Sequence, residues 1–215
     1  MQDADLVRYV TDELFLDPKV DSDAIAVSAH NAVATLRGTV GSFREKREAE
    51  SDAKRVYGVE LVNNELEVRP LNKARREDAD LRGDVLKALA LNSLVPASVD
   101  AVVKDGVVTL TGIVDWQYQR TEAEFAAANI VGAVQVLDEI TLKPRPKPAE
   151  VSDAIDAAFQ RSARLDADHL SITMKDGKVT LKGKVRSWAE HDDAIDAAWS
   201  APGVTDVEDH ITIAY

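Results

Sequence analysis

The chain has no cysteine among its 215 residues. Disulfide bonds and thiolate chemistry are therefore excluded, and the redox state of its compartment is left undetermined. Aromatic residues make up only 5% of the chain, and no apolar run approaches the roughly 20 residues of a membrane-spanning helix. The N-terminus lacks the basic stretch and apolar centre of a secretory signal. These absences predict a cytoplasmic protein, or a periplasmic one if a signal has been removed.

Basic residues are also scarce. Lysine and arginine number 26 against 38 acidic residues, which gives a net charge of −12. A chain of this sign repels the phosphate backbone, so nucleic acid is excluded as the principal partner. The same charge opposes general adsorption to anionic lipid, so any membrane contact must be local.

One unit of about seventy residues is present three times. The segments 33–40, 107–114 and 178–185 carry matching glycines, and each glycine is followed 20 residues later by a second one. The spacing predicts three domains, modules 1, 2 and 3, over residues 1–70, 77–143 and 149–215. The glycines that we expect to be structural are Gly38, Gly58, Gly112, Gly132, Gly183 and Gly203.

Each module has the same order of hydrophobic patterns. A helical stripe, such as Val7, Val10 and Leu14 in module 1, comes before two alternating segments typical of a hairpin. A second helix with alanines four residues apart follows, then a last strand, and the second glycine is expected at the C′ position of that helix. The sequence thus predicts an α+β fold of three tandem αββαβ modules, each a three-stranded mixed sheet with two helices on one face.

The motifs Val179-Thr-Leu-Lys-Gly-Lys-Val185 and Gly203-Val-Thr-Asp-Val207-Glu-Asp-His-Ile211, with their counterparts in the other copies, resemble the BON domain family. The resemblance covers nearly the whole chain. It implies a bacterial αββαβ module of osmotic-stress proteins, secretins, channels and haemolysin-like proteins. It further implies phospholipid binding or envelope attachment, with no catalytic residues and no cofactor.

Three aromatic residues stand where the second helix of each module begins: Phe43, Trp116 and Trp188. An amphipathic ring at this position suits a lipid interface or an amphiphilic small molecule. The alternative is that each ring covers the core of its own module.

A local cationic row lies on module 3. Strand alternation places Lys182, Lys184 and Arg186 on one side, opposite the apolar residues of the same strand. Such a row suits a phosphate or carboxylate headgroup. The alternative is cross-strand pairing with Glu208.

The outer sheet face of module 2 is expected to carry little charge and to join modules or chains, which would make a homo-oligomer. Its residues are Val102, Thr109, Thr111, Ile113, Leu137 and Thr141.

No catalytic or metal site is evident. His191-Asp192-Asp193 has no second histidine at metal-ligand spacing, so we expect a solvated surface histidine, with hydrolysis only a remote alternative. The repeated polar position Asn64, Asp138 and Asp209 is expected to satisfy nearby backbone. The sequence therefore predicts a non-enzymatic bacterial protein of the stress or envelope type that binds phospholipid or an amphiphilic small molecule. The alternative is a self-assembling structural protein built through sheet faces or edge strands.

Overall fold

The computed structural model describes residues 2–69, 76–143, 170–201 and 203–214. Its helices are α1 (Asp3–Leu16), α2 (Phe43–Arg55), α3 (Asp78–Leu91), α4 (Gln117–Ala128) and α5 (Trp188–Ser200). Its strands are β1 (Ile25–His30), β2 (Val33–Val40), β3 (Leu61–Val68), β4 (Asp100–Lys104), β5 (Val107–Val114), β6 (Gln135–Leu142), β7 (Leu170–Lys175), β8 (Lys178–Val185) and β9 (Asp206–Ile213). The chain divides into two compact units, Met1–Thr141 and Leu142–Tyr215.

The nine strands of the described residues form three sheets, one per module, in the orders β1-β2-β3, β4-β5-β6 and β7-β8-β9. The first two strands of each module pair as an antiparallel hairpin. In modules 1 and 3 the last strand then lies parallel to the second. The predicted α+β class and the mixed three-stranded sheets are confirmed.

The first helix of a module buries a stripe with a spacing of four residues. In α1 the stripe is Leu6, Val10 and Leu14, so the prediction that included Val7 was wrong by one position. In α3 it is Leu81, Val85 and Leu89. The corresponding predicted stripe of module 3, Val151, Ile155, Ala158, Phe159 and Ser162, lies outside the described residues.

The second helix presents small side chains to the sheet. Two alanines four residues apart are fully buried in each of α2, α4 and α5, and they let the helix axis approach the strands closely. The apolar inward residues of the central strand complete each core, as Leu36, Leu110 and Leu181 show. Every second residue of the central strand points to the opposite face of the sheet, and these residues are exposed or half-buried.

The second glycine does not occupy the C′ position that we predicted. α2 ends at Arg55 and Val56 caps it, so Gly58 lies farther along. The Val56 carbonyl accepts the N–H of Val59 at 3.2 Å, which makes Gly58 the third residue of a four-residue turn, with φ 95°. This turn position needs a positive φ, which glycine adopts at least cost.

Two arginines of α2 join modules 1 and 2 within the first unit. Arg47 forms an ion pair with Glu124 of α4 at 2.8 Å. Arg44 donates to the side-chain oxygen of Asn129, and its guanidinium carbon lies 5.1 Å from the centre of the Phe125 ring. These contacts hold the end of α4 against the start of α2.

Candidate functional site

The start of each second helix is fixed by a backward hydrogen bond from its first turn. Glu45, Gln119 and Glu190 each reach back to backbone N–H groups ahead of the helix, at 2.8, 2.9 and 2.7 Å. Ser42 and Ser187 also accept a helix N–H through their hydroxyls. This is the capping arrangement that stabilises a helix N-terminus.

The three predicted aromatics stand at these fixed helix starts. Phe43 and Trp188 are the first residues of α2 and α5, whereas Trp116 is the N-cap of α4. All three are half-buried, so each ring covers its own module in part and leaves the rest open to solvent. Their role in ligand contact stays a prediction.

The cationic row lies on the outer face of module 3. Lys182 pairs across the sheet with Ser171 of β7 and His210 of β9, and Lys184 with Thr212. Both lysines are exposed, and within residues 170–201 and 203–214 neither has a carboxylate partner.

Glu208, the carboxylate that could have paired with the row, pairs with a different lysine. Lys178 forms ion pairs with Glu208 at 2.6 Å and with Asp206 at 3.5 Å. Glu208 also accepts a hydrogen bond from the Thr180 hydroxyl. The contacts with Lys178 and Thr180 hold the pKa of Glu208 below its ordinary value. The acidic group nearest the row is thus already engaged.

Arg186 and Trp188 extend the row beyond the end of β8. Arg186 is exposed and its backbone N–H donates to Glu190 at 2.7 Å, so the turn between strand and helix is fixed. Along the chain, the cationic residues are therefore followed by the half-buried indole of Trp188 at the start of α5. We call Lys182, Lys184, Arg186 and Trp188 the module 3 row.

A polar contact between the second helix and the last strand recurs in the modules, and it was not predicted from the sequence. Arg120 forms an ion pair with Asp138, and His191 Nε2 lies 2.7 Å from Asp209 Oδ2. In module 1 the Asn64 amide donates to the Lys46 carbonyl at 2.9 Å. The signal was present in the sequence, because a basic residue follows the strand glycine by eight positions in every copy.

The repeated polar side chains also have the backbone role that we predicted. Asn64, Asp138 and Asp209 each accept the N–H of the residue two positions later, at 3.3, 2.9 and 2.9 Å. The position is therefore structural in all three modules.

His191 is not the solvated surface residue that we predicted. Its exposed fraction is 9%, and its ring centre lies 4.9 Å from that of Trp188 in an edge-on arrangement. Its two ring nitrogens contact Asp192 at 3.0 Å and Asp209 at 2.7 Å. Burial lowers the pKa of His191, but the hydrogen bonds and charges of these two carboxylates outweigh it and raise the pKa above 6.5.

A pH-dependent loss of stability is expected for His191→Ala. Because the folded-state pKa is raised, the stabilisation by His191 is fully present below pH 6.5 and is lost as the pH rises through the folded-state pKa. We expect the substitution to lower the free energy of unfolding of module 3 by about 2 kcal/mol near pH 5.5, and by less near pH 9. Urea unfolding of a Trp116→Phe background would report on module 3 alone, since Trp188 and Trp199 both belong to it. An equal loss at both pH values would contradict the assignment.

The outer face of module 2 is apolar at its centre. Val102 and Ile113 are 57% and 59% exposed, and Leu137 is also exposed. Thr109 and Thr111 lie between them, half-buried, and Thr141 is exposed. The structure places the six predicted residues on the predicted face.

Within the described ranges, no group of three or more His, Asp or Glu side chains is arranged to hold a metal ion. Among the same residues, no helix has both the length and the apolar character needed to cross a membrane.

Comparison with known proteins identifies the repeated unit. The family model described as BON domain matches residues 2–70, 77–144 and 149–215. Osmotically-inducible protein Y of Escherichia coli (strain K12) is 31% identical over 148 residues, which cover 66% of this chain and 74% of that protein.

Two solved structures of CdsD, a structural protein of the type III secretion system of Chlamydia trachomatis, are similar at 12% identity. One match covers 98% of this chain and 92% of the other with a TM-score of 0.28. The other match, to a structure of the C-terminal domain, covers 100% of this chain and 100% of the other with a TM-score of 0.27. At scores this low the likeness adds nothing about architecture or role.

Proposed function

Because the chain belongs to the BON domain family, we propose that it is a non-enzymatic bacterial binding protein of the stress or envelope type. Its ligand is an anionic phospholipid, or an amphiphile with the same headgroup charge, held by the module 3 row. The observation that carries the proposal is the exposure of Lys182 and Lys184 on one sheet face with no carboxylate partner in the described part of module 3.

The neighbours of the two lysines suit a phosphate group. Ser171 and Thr212 place hydroxyls beside them, and His210 adds an imidazole next to Lys182. The Ser171 and Thr212 hydroxyls donate to the carbonyls of Lys182 and Gly183 at 3.4 and 3.3 Å, so the two ammonium groups supply the donors for a phosphate oxygen and these neighbours add no negative charge. The carboxylate of Glu208, which would repel a phosphate, is paired with Lys178 at 2.6 Å, and Lys178 also contacts Asp206 at 3.5 Å.

The same end of the module suits the boundary between lipid headgroups and acyl chains. Trp188 begins α5 directly after the cationic residues and is half-buried. Indole rings favour the boundary between water and hydrocarbon. Headgroup contact through the lysines and interface contact through the indole are therefore both assigned to module 3 in this proposal.

A non-catalytic role is supported by His191. This histidine is the imidazole that most resembled a catalytic base in the sequence, and both its ring nitrogens are engaged by carboxylates of its own module. Its arrangement stabilises the module and leaves neither nitrogen directed at a substrate.

Binding to vesicles tests the proposal. We expect the protein to float with vesicles that contain about 30% phosphatidylglycerol at about 50 mM salt, and to be released as salt screens the contact over the Debye length. Vesicles of phosphatidylcholine alone should not retain it. Equal flotation with both lipids, or retention that is unaffected by salt, would contradict a headgroup site made of lysines.

A second candidate function, self-association, is favoured by the exposed centre of the module 2 face. A second copy of the chain that covered Val102, Ile113 and Leu137 would bury apolar surface. Each Å² buried would stabilise the dimer by about 25 cal/mol. Repulsion between two chains of charge −12 opposes this contact and is screened by salt.

Salt therefore separates the two functions. We expect association to strengthen with added salt, and Ile113→Lys to weaken it at every salt concentration, whereas vesicle binding through the module 3 row should weaken with salt. Analytical ultracentrifugation of the parent and of Ile113→Lys across a salt series measures this. A protein that stays monomeric throughout, or a variant that associates as well as the parent, would rule out this face.

A further inference from the structure

An open cleft of about 700 Å³ lies on module 1, between α1 and the turn that follows α2. Tyr57 and Leu16 on its walls are 71% and 73% exposed, so the cleft presents apolar surface to solvent. We call it the α1–α2 cleft, and its main lining residues are Tyr9, Asp12, Glu13, Leu16, Arg55 and Tyr57.

Carboxylates outnumber cations in and behind this cleft. Arg55 alone pairs with both Glu13 at 3.2 Å and Asp52 at 2.6 Å. Asp12 is exposed, and within residues 2–69 it forms no ion pair. Arg55 is therefore the cation among the described lining residues, and it is already shared by two carboxylates, which leaves Asp12 without a cationic partner.

Asp52 behind the cleft is fully buried, and its Oδ2 has no hydrogen-bond partner among the described residues. Burial raises the pKa of Asp52 to about 6; Arg55 opposes the rise, while Asp17 and Glu13 add to it. The same position carries Ala126 in α4 and Ala197 in α5, so the carboxylate is particular to module 1.

Module 2 shows what the equivalent groove holds. There the side chain of Arg76 lies between α3 and the turn after α4: it pairs with Asp84 and donates to the Val131 carbonyl at 3.0 Å. Its Cδ lies against Gly132, 3.1 Å from where a β-carbon would be. Asp84 and Val131 are the counterparts of Tyr9 and Tyr57, which line the cleft of module 1.

The two grooves differ in charge. Lys87 of module 2 corresponds to Asp12 of module 1, and Ala88 corresponds to Glu13. The groove of module 2 thus has a lysine beside it and an arginine within it, whereas that of module 1 has two carboxylates, two tyrosine rings and Arg55, which is paired with Glu13. Asp12, a carboxylate without an ion pair in the described part of module 1, thus stands where module 2 has Lys87.

We propose that the α1–α2 cleft binds a small organic cation with an apolar group, of the alkylguanidinium or alkylammonium class. Asp12 and Glu13 attract the cationic head, which lies against the exposed ring of Tyr57, since the Tyr9 ring already has the Arg8 guanidinium 4.9 Å from its centre. The apolar group covers Leu16. The cleft is proposed to bind a cation, whereas the module 3 row is proposed to bind an anionic headgroup, and the two sites lie in different modules. Each proposal can therefore be tested independently of the other.

Cation binding should depend on pH through Asp52. A cation close to this buried carboxyl favours its ionised form, and by linkage the ionised form binds the cation more tightly. Affinity is therefore expected to rise as the pH increases through about 6. Asp52→Ala, which gives module 1 the residue of the other two copies, should reduce this dependence.

The probes are phenethylguanidinium and two compounds with the same phenylethyl group, the neutral 2-phenylethanol and the anionic 3-phenylpropionate. Saturation-transfer NMR and calorimetry on the full chain should detect the cation alone. An acetylated Leu-Arg-Leu amide presents the same group from a peptide; tighter binding of this peptide would place the natural source in a protein partner, with the cation site unchanged. Equal binding of the neutral compound, or no binding of any cation at millimolar concentration, would overturn the proposal.

Variants locate the binding. Asp12→Asn combined with Glu13→Gln is expected to weaken phenethylguanidinium binding by at least about fivefold, which is about 1 kcal/mol. Asp12→Lys, which copies Lys87 of module 2, should weaken it further. Asp80→Asn removes an exposed carboxylate of α3 outside the cleft and should leave binding unchanged. If the control weakens binding as much as the cleft variants, with melting curves like that of the parent, the cation binds elsewhere through general charge.

Discussion

Gly112→Ala is expected to destabilise module 2 by at least about 3 kcal/mol. Gly112 has φ 139°, where L side chains rarely occur. A β-carbon there would overlap the Ser98 carbonyl oxygen and lie 3.1 Å from the Val99 Cα, and both are backbone atoms. The start of the β4 segment would have to move away from β5. Hydrogen exchange of peptides from residues 76–143 measures the loss.

Gly83→Ala is the matched control in the same module. Gly83 lies within α3, and a β-carbon there would meet no atom within 4 Å. Alanine has the higher helix propensity, so this variant should be as stable as the parent or up to about 1 kcal/mol more stable. If both variants lost the same stability, a general cost of replacing glycine would explain the result and the close approach of the strands would not.

Reversal of two charges in the module 3 row should abolish binding to anionic vesicles. Lys182→Glu combined with Lys184→Glu replaces two exposed ammonium groups by carboxylates on one sheet face. Each basic residue near an anionic surface contributes about 1 kcal/mol, so loss of both contacts weakens binding about thirtyfold, and the added repulsion weakens it further. Flotation with vesicles that contain phosphatidylglycerol measures the change.

A control with the same change of net charge separates the row from general electrostatics. Lys104→Glu combined with Lys143→Glu alters two exposed lysines of module 2 and makes the chain equally more acidic. We expect this control to keep most of the binding of the parent. If both double variants lose binding equally, total charge decides the interaction and the row is not a site.

The sequence was sufficient to predict the fold because the repeat supplies three copies of each local signal. Gly38, Gly112 and Gly183 mark the same point of the central strand, where a positive φ recurs, and at Gly38 and Gly112 the backbone of the neighbouring segment approaches closely. Three copies in register also account for the family resemblance, which the comparison confirms.

Pairings between distant elements were harder to predict. Glu208 lies opposite Thr180 in the parallel pair of β8 and β9, two residues from both Lys178 and Lys182. Alternation alone could not decide which lysine it would engage, because both point to the same face. The structure shows Lys178, which leaves Lys182 exposed.

Burial of His191 could have been inferred from the repeat. Lys46 and Arg120 occupy the same helix position, and the last strand carries a polar partner in each copy. The α1–α2 cleft had no comparable signal. Its contrast with module 2 depends on where Arg76 lies in space, which no spacing in the sequence reveals.

Amide chemical-shift mapping of the full chain with short-chain phosphatidylglycerol tests the central claim most directly. Binding through the module 3 row predicts shifts concentrated at Ser171, Lys182, Lys184, His210 and the Trp188 indole, with those of β5 in module 2 unchanged. Shifts confined to the outer face of module 2, or shifts of similar size in all three modules, would contradict the assignment of the lipid site to module 3.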